Sequence, residues 1–138
     1  MLLKNKLKEL NFFIDNEYLE KYCRLIEQNT TRNSLPGRTN RHHIIPKSWF
    51  KLNNLEVDNS RTNLVTLDYR SHVLAHYYLC LCTTDQLKFA NELALVCLIS
   101  RKKKLNYSDK QLITSLPLYN YIYEDYIKNK TNGYKLYD

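Results

Sequence analysis

The segment Arg41-His42-His43-Ile44-Ile45-Pro46, followed by Asn63-Leu64-Val65-Thr66-Leu67 and then His72-Val73-Leu74-Ala75-His76, decides how this chain is read. It holds all 4 histidines of the 138 residues. His72 and His76 are four apart in a stretch of helical pattern, so both rings leave the same helix face. That is the spacing of helical metal-chelating pairs. Arg41 to Ile45 is short and β-prone, and Pro46 stops it because proline cannot donate to a ladder. Neighbouring side chains on a strand point to opposite faces. One ring of the pair His42-His43 can therefore join the helix pair around an ion. The other is free to act as a base, and spacing alone does not say which is which.

Working outward, Leu64-Val65-Thr66-Leu67 is the second strand candidate, and Asp68 can cap a helix from about Tyr69 to Cys82. Between the strands, Lys47 to Arg61 reads as a loop, with Asn53-Asn54 and Asp58-Asn59 as turn formers. Upstream, Tyr18, Leu19, Tyr22, Leu25 and Ile26 recur at helical spacing, which predicts a helix over 15–28 capped by Asp15 or Asn16. Asn29 to Asn40, with Pro36-Gly37, is a polar connector. Downstream, a helix begins near Thr84 or Asp85 and runs to about Ser100, with Leu87, Ala90, Leu93, Ala94 and Cys97 as its expected core stripe. Arg101-Lys102-Lys103-Lys104 ends it, either as cations at a helix C-terminus or as phosphate contacts. A last helix follows Ser108-Asp109 and is broken or kinked at Pro117. The tyrosines from Tyr107 onward pack this tail or stack on bases. The pattern predicts an α+β, mostly helical chain organised as a single domain over 1–138. Its motif core lies at about 40–77, between helical flanks at 1–39 and 78–138.

Composition narrows the class. The net charge is +7, and a basic surface attracts polyanions. Arg32, Arg38, Arg41, Lys47, Lys51, Arg61 and Arg70 crowd the region around the motif, against Glu56, Asp58 and Asp68. No apolar run has the length of a membrane span, and Met1 to Lys6 alternates apolar and basic residues unlike a signal peptide. The 4 cysteines form no C-x-x-C pair, which predicts reduced, buried thiols rather than a zinc ribbon. A cytoplasmic protein is the expectation.

Phosphodiester cleavage needs parts that this constellation can supply. A metal ion stabilises charge on the phosphate and the leaving oxygen. A neutral imidazole deprotonates water near pH 7. A polar group must hold that imidazole in its tautomer, and Asn63 is a candidate. The competing readings are a satisfied histidine face or a closed structural zinc site with four ligands.

The three quoted segments resemble the HNH endonuclease family, including small phage-type members. Asn63 lies nine residues before His72, and His76 four after it, as the family pattern places them. The resemblance covers about residues 40–77. It implies a ββα-metal core: a two-stranded antiparallel hairpin and a helix around one divalent cation. It implies that His42, His72 and His76 are metal ligands, that His43 is the general base, and that Asn63 constrains the loop that orients the base. Water activated by His43 would attack DNA, double-stranded most readily, with Lys47, Arg61, Arg70 and Arg41 as candidate phosphate contacts and a homodimer possible. Departures exist. Lys47-Ser48-Trp49-Phe50-Lys51 stands where many relatives have a Gly-Gly turn, and Trp49 and Phe50 either pack under the loop or wedge into a DNA groove. No cysteine pair supplies a structural zinc. A histidine at position 42, where many relatives carry aspartate, suits zinc, nickel or manganese better than magnesium. A nucleic-acid-binding module that keeps this fold but has lost catalysis is the rival, although no motif position is missing.

Overall fold

The computed structural model describes residues 2–30, 39–100 and 106–133. Its elements in chain order are α1 (Leu2–Lys8), α2 (Glu17–Thr30), β1 (Thr39–His43), α3 (Lys47–Leu52), a short 3-10 turn (Arg61–Asn63), β2 (Leu64–Asp68), α4 (Tyr69–Leu81), α5 (Asp85–Ser100), α6 (Tyr107–Thr114) and α7 (Tyr119–Thr131). The fold is α+β and mostly helical, and its sheet is one antiparallel pair in which His42 faces Val65 and His43 faces Leu64. Among the described residues, no helix is long and apolar enough to cross a membrane.

Capping side chains account for the helix starts read from the sequence. Asn16 Oδ1 accepts from the backbone N–H groups of Tyr18 and Leu19, at 3.0 and 3.1 Å. Asp68 accepts from Ser71 N–H at 2.8 Å and turns the end of β2 directly into α4. Each cap satisfies donors that the first helical turn leaves without partners. Asn106 does the same for α6 through Asp109 N–H. Pro117 falls between α6 and α7, as the break expected there.

Three sequence expectations need correction. The stretch 47–61 is not all loop, because Lys47–Leu52 is helical. Pro46 stands at its N-cap position, and its fixed φ suits a helix entrance as well as it suits a strand stop. The helix is held from one side: Phe50 is buried, and Trp49 Nε1 donates to Asn11 O at 3.1 Å. Trp49 and Phe50 meet edge-on at 5.1 Å and pack under the loop. On α5 the buried positions are Leu87, Phe89, Asn91, Glu92 and Leu95, whereas Ala90, Leu93, Ala94 and Cys97 are half-buried. The apolar stripe lies mostly at an edge because α4 and α7 grip α5 from two directions. The first strand begins two residues earlier than Arg41 and ends at His43, before Ile44. The connector turn at Pro36-Gly37 and the basic run 101–104 lie outside the described residues.

Helix α4 joins two apolar clusters. Ala75, Leu79 and Cys82 belong to one, with Leu19, Tyr22, Ile26, Val65 and Leu67. Val73, Tyr77 and Cys80 belong to the other, with Leu95, Leu112, Leu116 and Ile122. Cys23, Cys80 and Cys82 are buried free thiols, and burial pushes all three up from the ordinary thiol range. Cys97 is half-buried. Of the tail tyrosines, Tyr126 is buried and stacks on Phe89 at 5.5 Å, while Tyr121 and Tyr123 are exposed.

Candidate metal centre

His42 leaves β1 toward α4 and is 3 % exposed. Its ring centroid lies 5.4 Å from that of His72 and 5.1 Å from that of His76. One nitrogen from each of the three rings can be chosen so that all lie within 4.8 Å of one another, close enough to bind one metal ion. His72 Nε2 and His76 Nε2 are 3.2 Å apart. Two imidazoles on a tetrahedral zinc, at about 2.0–2.1 Å each, would put their nitrogens roughly 3.3 Å apart. The separation of the helix pair is close to that value, and without an ion it is also a hydrogen-bonding distance. Among the described residues, this is the one cluster of at least three such side chains.

The electrostatics favour the ligand form. Burial, with the neighbouring rings adding to it, holds His42 well below the usual imidazole value. His76 is pulled down to about 3, mainly by burial, and burial lowers His72 as well. All three are neutral at physiological pH, with lone pairs for a cation. Nδ1 of His72 and Nδ1 of His76 are buried without a hydrogen-bond partner. Behind His76 stands the buried Asn91 of α5, whose Nδ2 donates to Leu87 O at 3.0 Å and whose amide offsets part of the effect of burial on the ring.

His43 points away from His42 but opens onto the same cavity. That cavity, about 470 Å³, is lined by all three clustered histidines, His43, Arg41 and Lys47, with Ala90, Asn91 and Ala94 as its far wall. His43 Nε2 lies 2.7 Å from Asn59 Oδ1. Asn59 also lines a second hollow of about 280 Å³ together with Arg41, Arg61 and Thr66. The two hollows thus meet at Arg41 and at the His43–Asn59 hydrogen bond. Arg41, Lys47 and Arg61 are exposed. Arg70 is exposed too, but its guanidinium donates to Ser108 Oγ and it lines neither hollow.

Asn63 does not bond the His43 ring. Its Oδ1 accepts from Ile45 N–H at 2.8 Å, and its Nδ2 donates to Asp58 O and Ile45 O at 2.9 and 3.3 Å. Its own carbonyl accepts from Ile44 N–H at 2.9 Å. Asn63 clamps the loop backbone to the strand end, and the ring is held instead by Asn59. In the sequence Asn59 is one polar turn residue among several, and only the fold brings it to the base candidate. Tyr22 and Asn91 were equally hidden, each inside a helix whose periodicity speaks of packing. A tyrosine within an apolar stripe is still a signal, because a buried hydroxyl needs a partner.

No family model matches this chain, and no curated protein and no solved structure matches it either.

Proposed function

We propose that this chain is a metal-dependent endonuclease of the HNH kind that hydrolyses DNA phosphodiester bonds on a ββα-metal core made by β1, β2 and α4. One observation carries the reading: three neutral imidazoles converge, while the adjacent fourth, His43, opens onto the same cavity with its own hydrogen-bond partner. His42, His72 and His76 would hold one divalent cation, with zinc, nickel and manganese better suited than magnesium to three imidazoles. Once bound, such an ion supplies charge stabilisation to the scissile phosphate and the leaving oxygen. A closed structural zinc site needs four protein ligands. Three converge among the described residues, which favours an open, reactive site.

The remaining work falls to the chain's own groups. Asn59 Oδ1 can only accept, so His43 Nε2 donates to it and Nδ1 keeps the lone pair. Nδ1 is then the atom that takes a proton from water. Asn63 keeps the loop that carries Asn59 against β1. Arg41 and Lys47 flank the cavity, and Arg61 lines the adjoining hollow. In this reading they would contact phosphates of a DNA strand, and Arg70, engaged with Ser108, would contribute less.

Plasmid nicking across magnesium, manganese, nickel and zinc tests this reading. Cleavage with at least one ion is expected. His43→Ala should lower it by roughly 10²–10⁴-fold, the usual contribution of a general base. Calorimetry should show metal still bound by that variant, and His76→Ala should lose the ion. Wild-type protein that binds DNA and cuts it with none of the four ions would establish a silent binding module instead.

A further inference from the structure

Tyr22, on α2, lies 20 residues before His42, the first histidine, yet its hydroxyl ends in the candidate metal centre. Tyr22 Oη is 2.6 Å from Ile44 O and 2.8 Å from His42 Nε2. A backbone carbonyl only accepts, so the single hydroxyl hydrogen goes to Ile44 O. The remaining contact is then satisfied in one way: His42 Nε2–H donates to Tyr22 Oη. That proton leaves the ring lone pair on Nδ1.

The acceptor that fixes the hydroxyl is itself held. The Ile44 carbonyl and the Ile45 N–H belong to one peptide plane, and Asn63 Oδ1 accepts from that N–H at 2.8 Å. Asn63 and Tyr22 therefore grip opposite edges of the same peptide unit. The Tyr22 ring lies edge-on to the His42 ring, with centroids 5.9 Å apart and planes at 72°, and Tyr22 is fully buried, so the hydroxyl has little freedom to turn elsewhere.

We propose that Tyr22 is a positioning residue that locks His42 in the Nε2–H tautomer, so that His42 offers Nδ1 to the ion while His72 and His76 offer the Nε2 atoms that face each other. This rests on the reading that these three histidines hold a metal. It names a partner in α2 that lies outside the histidine motif, and it separates the chemistry of His42 from that of the helix pair. Outer partners that hold a ligating imidazole in its tautomer typically matter 10–100-fold in metal affinity.

Long-range nitrogen–proton NMR of histidine-labelled, metal-free protein reads the tautomer directly and needs no variant. The expected wild-type result is His42 protonated on Nε2. Tyr22→Phe keeps the ring and removes only the hydroxyl. It should lose the tautomer preference and weaken zinc or nickel binding about 10–100-fold by calorimetry, with the far-ultraviolet circular dichroism unchanged. A wild-type His42 protonated on Nδ1 overturns the proposal whether or not the variant folds. So does a Tyr22→Phe protein with wild-type tautomer and affinity. Wild-type protein that binds none of these ions would instead remove the metal reading itself, a distinct result.

Discussion

Two buried polar regions flank helix α5, and they are built on opposite terms. On the β1 side, Tyr22 joins His42 to Ile44 O, and Asn63 makes three side-chain hydrogen bonds to backbone, with Nδ1 of His72 and of His76 left without a partner. On the α7 side, Glu92 is fully buried and neither carboxylate oxygen has a hydrogen-bond partner. Burial first, and then the neighbouring Asp125, raise its pKa to about 8, while Lys88 offsets part of the rise. Lys88 itself is 3.6 Å from Asp125 rather than committed to Glu92. The first region spends its buried polarity on fixing geometry. The second keeps an acid neutral by burying it beside another carboxyl group, Asp125, and that costs stability as soon as the acid ionises.

The contrast can be broken by removing one buried polar side chain from each region. Asn63→Ala leaves the Ile45 N–H and the Asp58 carbonyl without their partner, and should cost about 2–4 kcal/mol in urea unfolding, at roughly 1 kcal/mol or more per lost bond. Glu92→Gln should do the reverse at pH 8, raising stability by about 1–2 kcal/mol, because no charge need be buried. If both substitutions destabilise equally at pH 8, the two regions do not differ as described.

The pH profile sharpens the same comparison. The three clustered histidines titrate below the unfolded value of 6.5 in the folded chain. Between those values the unfolded chain binds more protons, so their contribution is complete above about pH 6.5 and is lost as pH falls. For Glu92 the folded value, about 8, lies above the unfolded 4.5. Its contribution is complete below about pH 4.5 and is lost as pH rises through 8. Each group has a limiting slope of about 1.4 kcal/mol per pH unit. Metal-free wild-type protein should therefore be most stable at about pH 6.5–7, where the three histidine slopes run out and the single opposing slope of Glu92 takes over. Glu92→Gln should move the optimum upward, as seen by thermal unfolding across pH.

The smallest expected effect concerns DNA. Arg61→Ala should weaken binding to a duplex only a few-fold and lower the salt slope by about 1, whereas Arg70→Ala, already engaged with Ser108, should change it less. Equal slopes for the two variants would detach the hollow around Arg61 from the DNA path.

How much of this was legible in the sequence follows from how local each signal is. The i, i+4 spacing of His72 and His76, the Asp68 cap and the alternation of His42 and His43 are determined within a turn or a strand, and each was readable. Helix α3 was not, because its six residues carry no periodicity and its stability comes from docking Trp49 and Phe50. Asn59 reaches His43 across 16 residues, and Tyr22 reaches His42 across 20. Such contacts leave no mark in a hydrophobic pattern. Glu92 and Asn91 were obscured for the opposite reason: they sit inside an apolar helix, where the pattern reports the neighbours rather than the exceptions.

Helix α4 has no free face, and this limits how far the histidine motif can be transplanted. Val73, Tyr77 and Cys80 are buried against the helices that follow, and Tyr77 Oη accepts from Leu118 N–H at 3.1 Å, at the mouth of α7. A miniature cut from residues 39–81 would carry all four histidines yet bare that apolar flank to water, inviting aggregation. The centre is portable only together with its downstream helices.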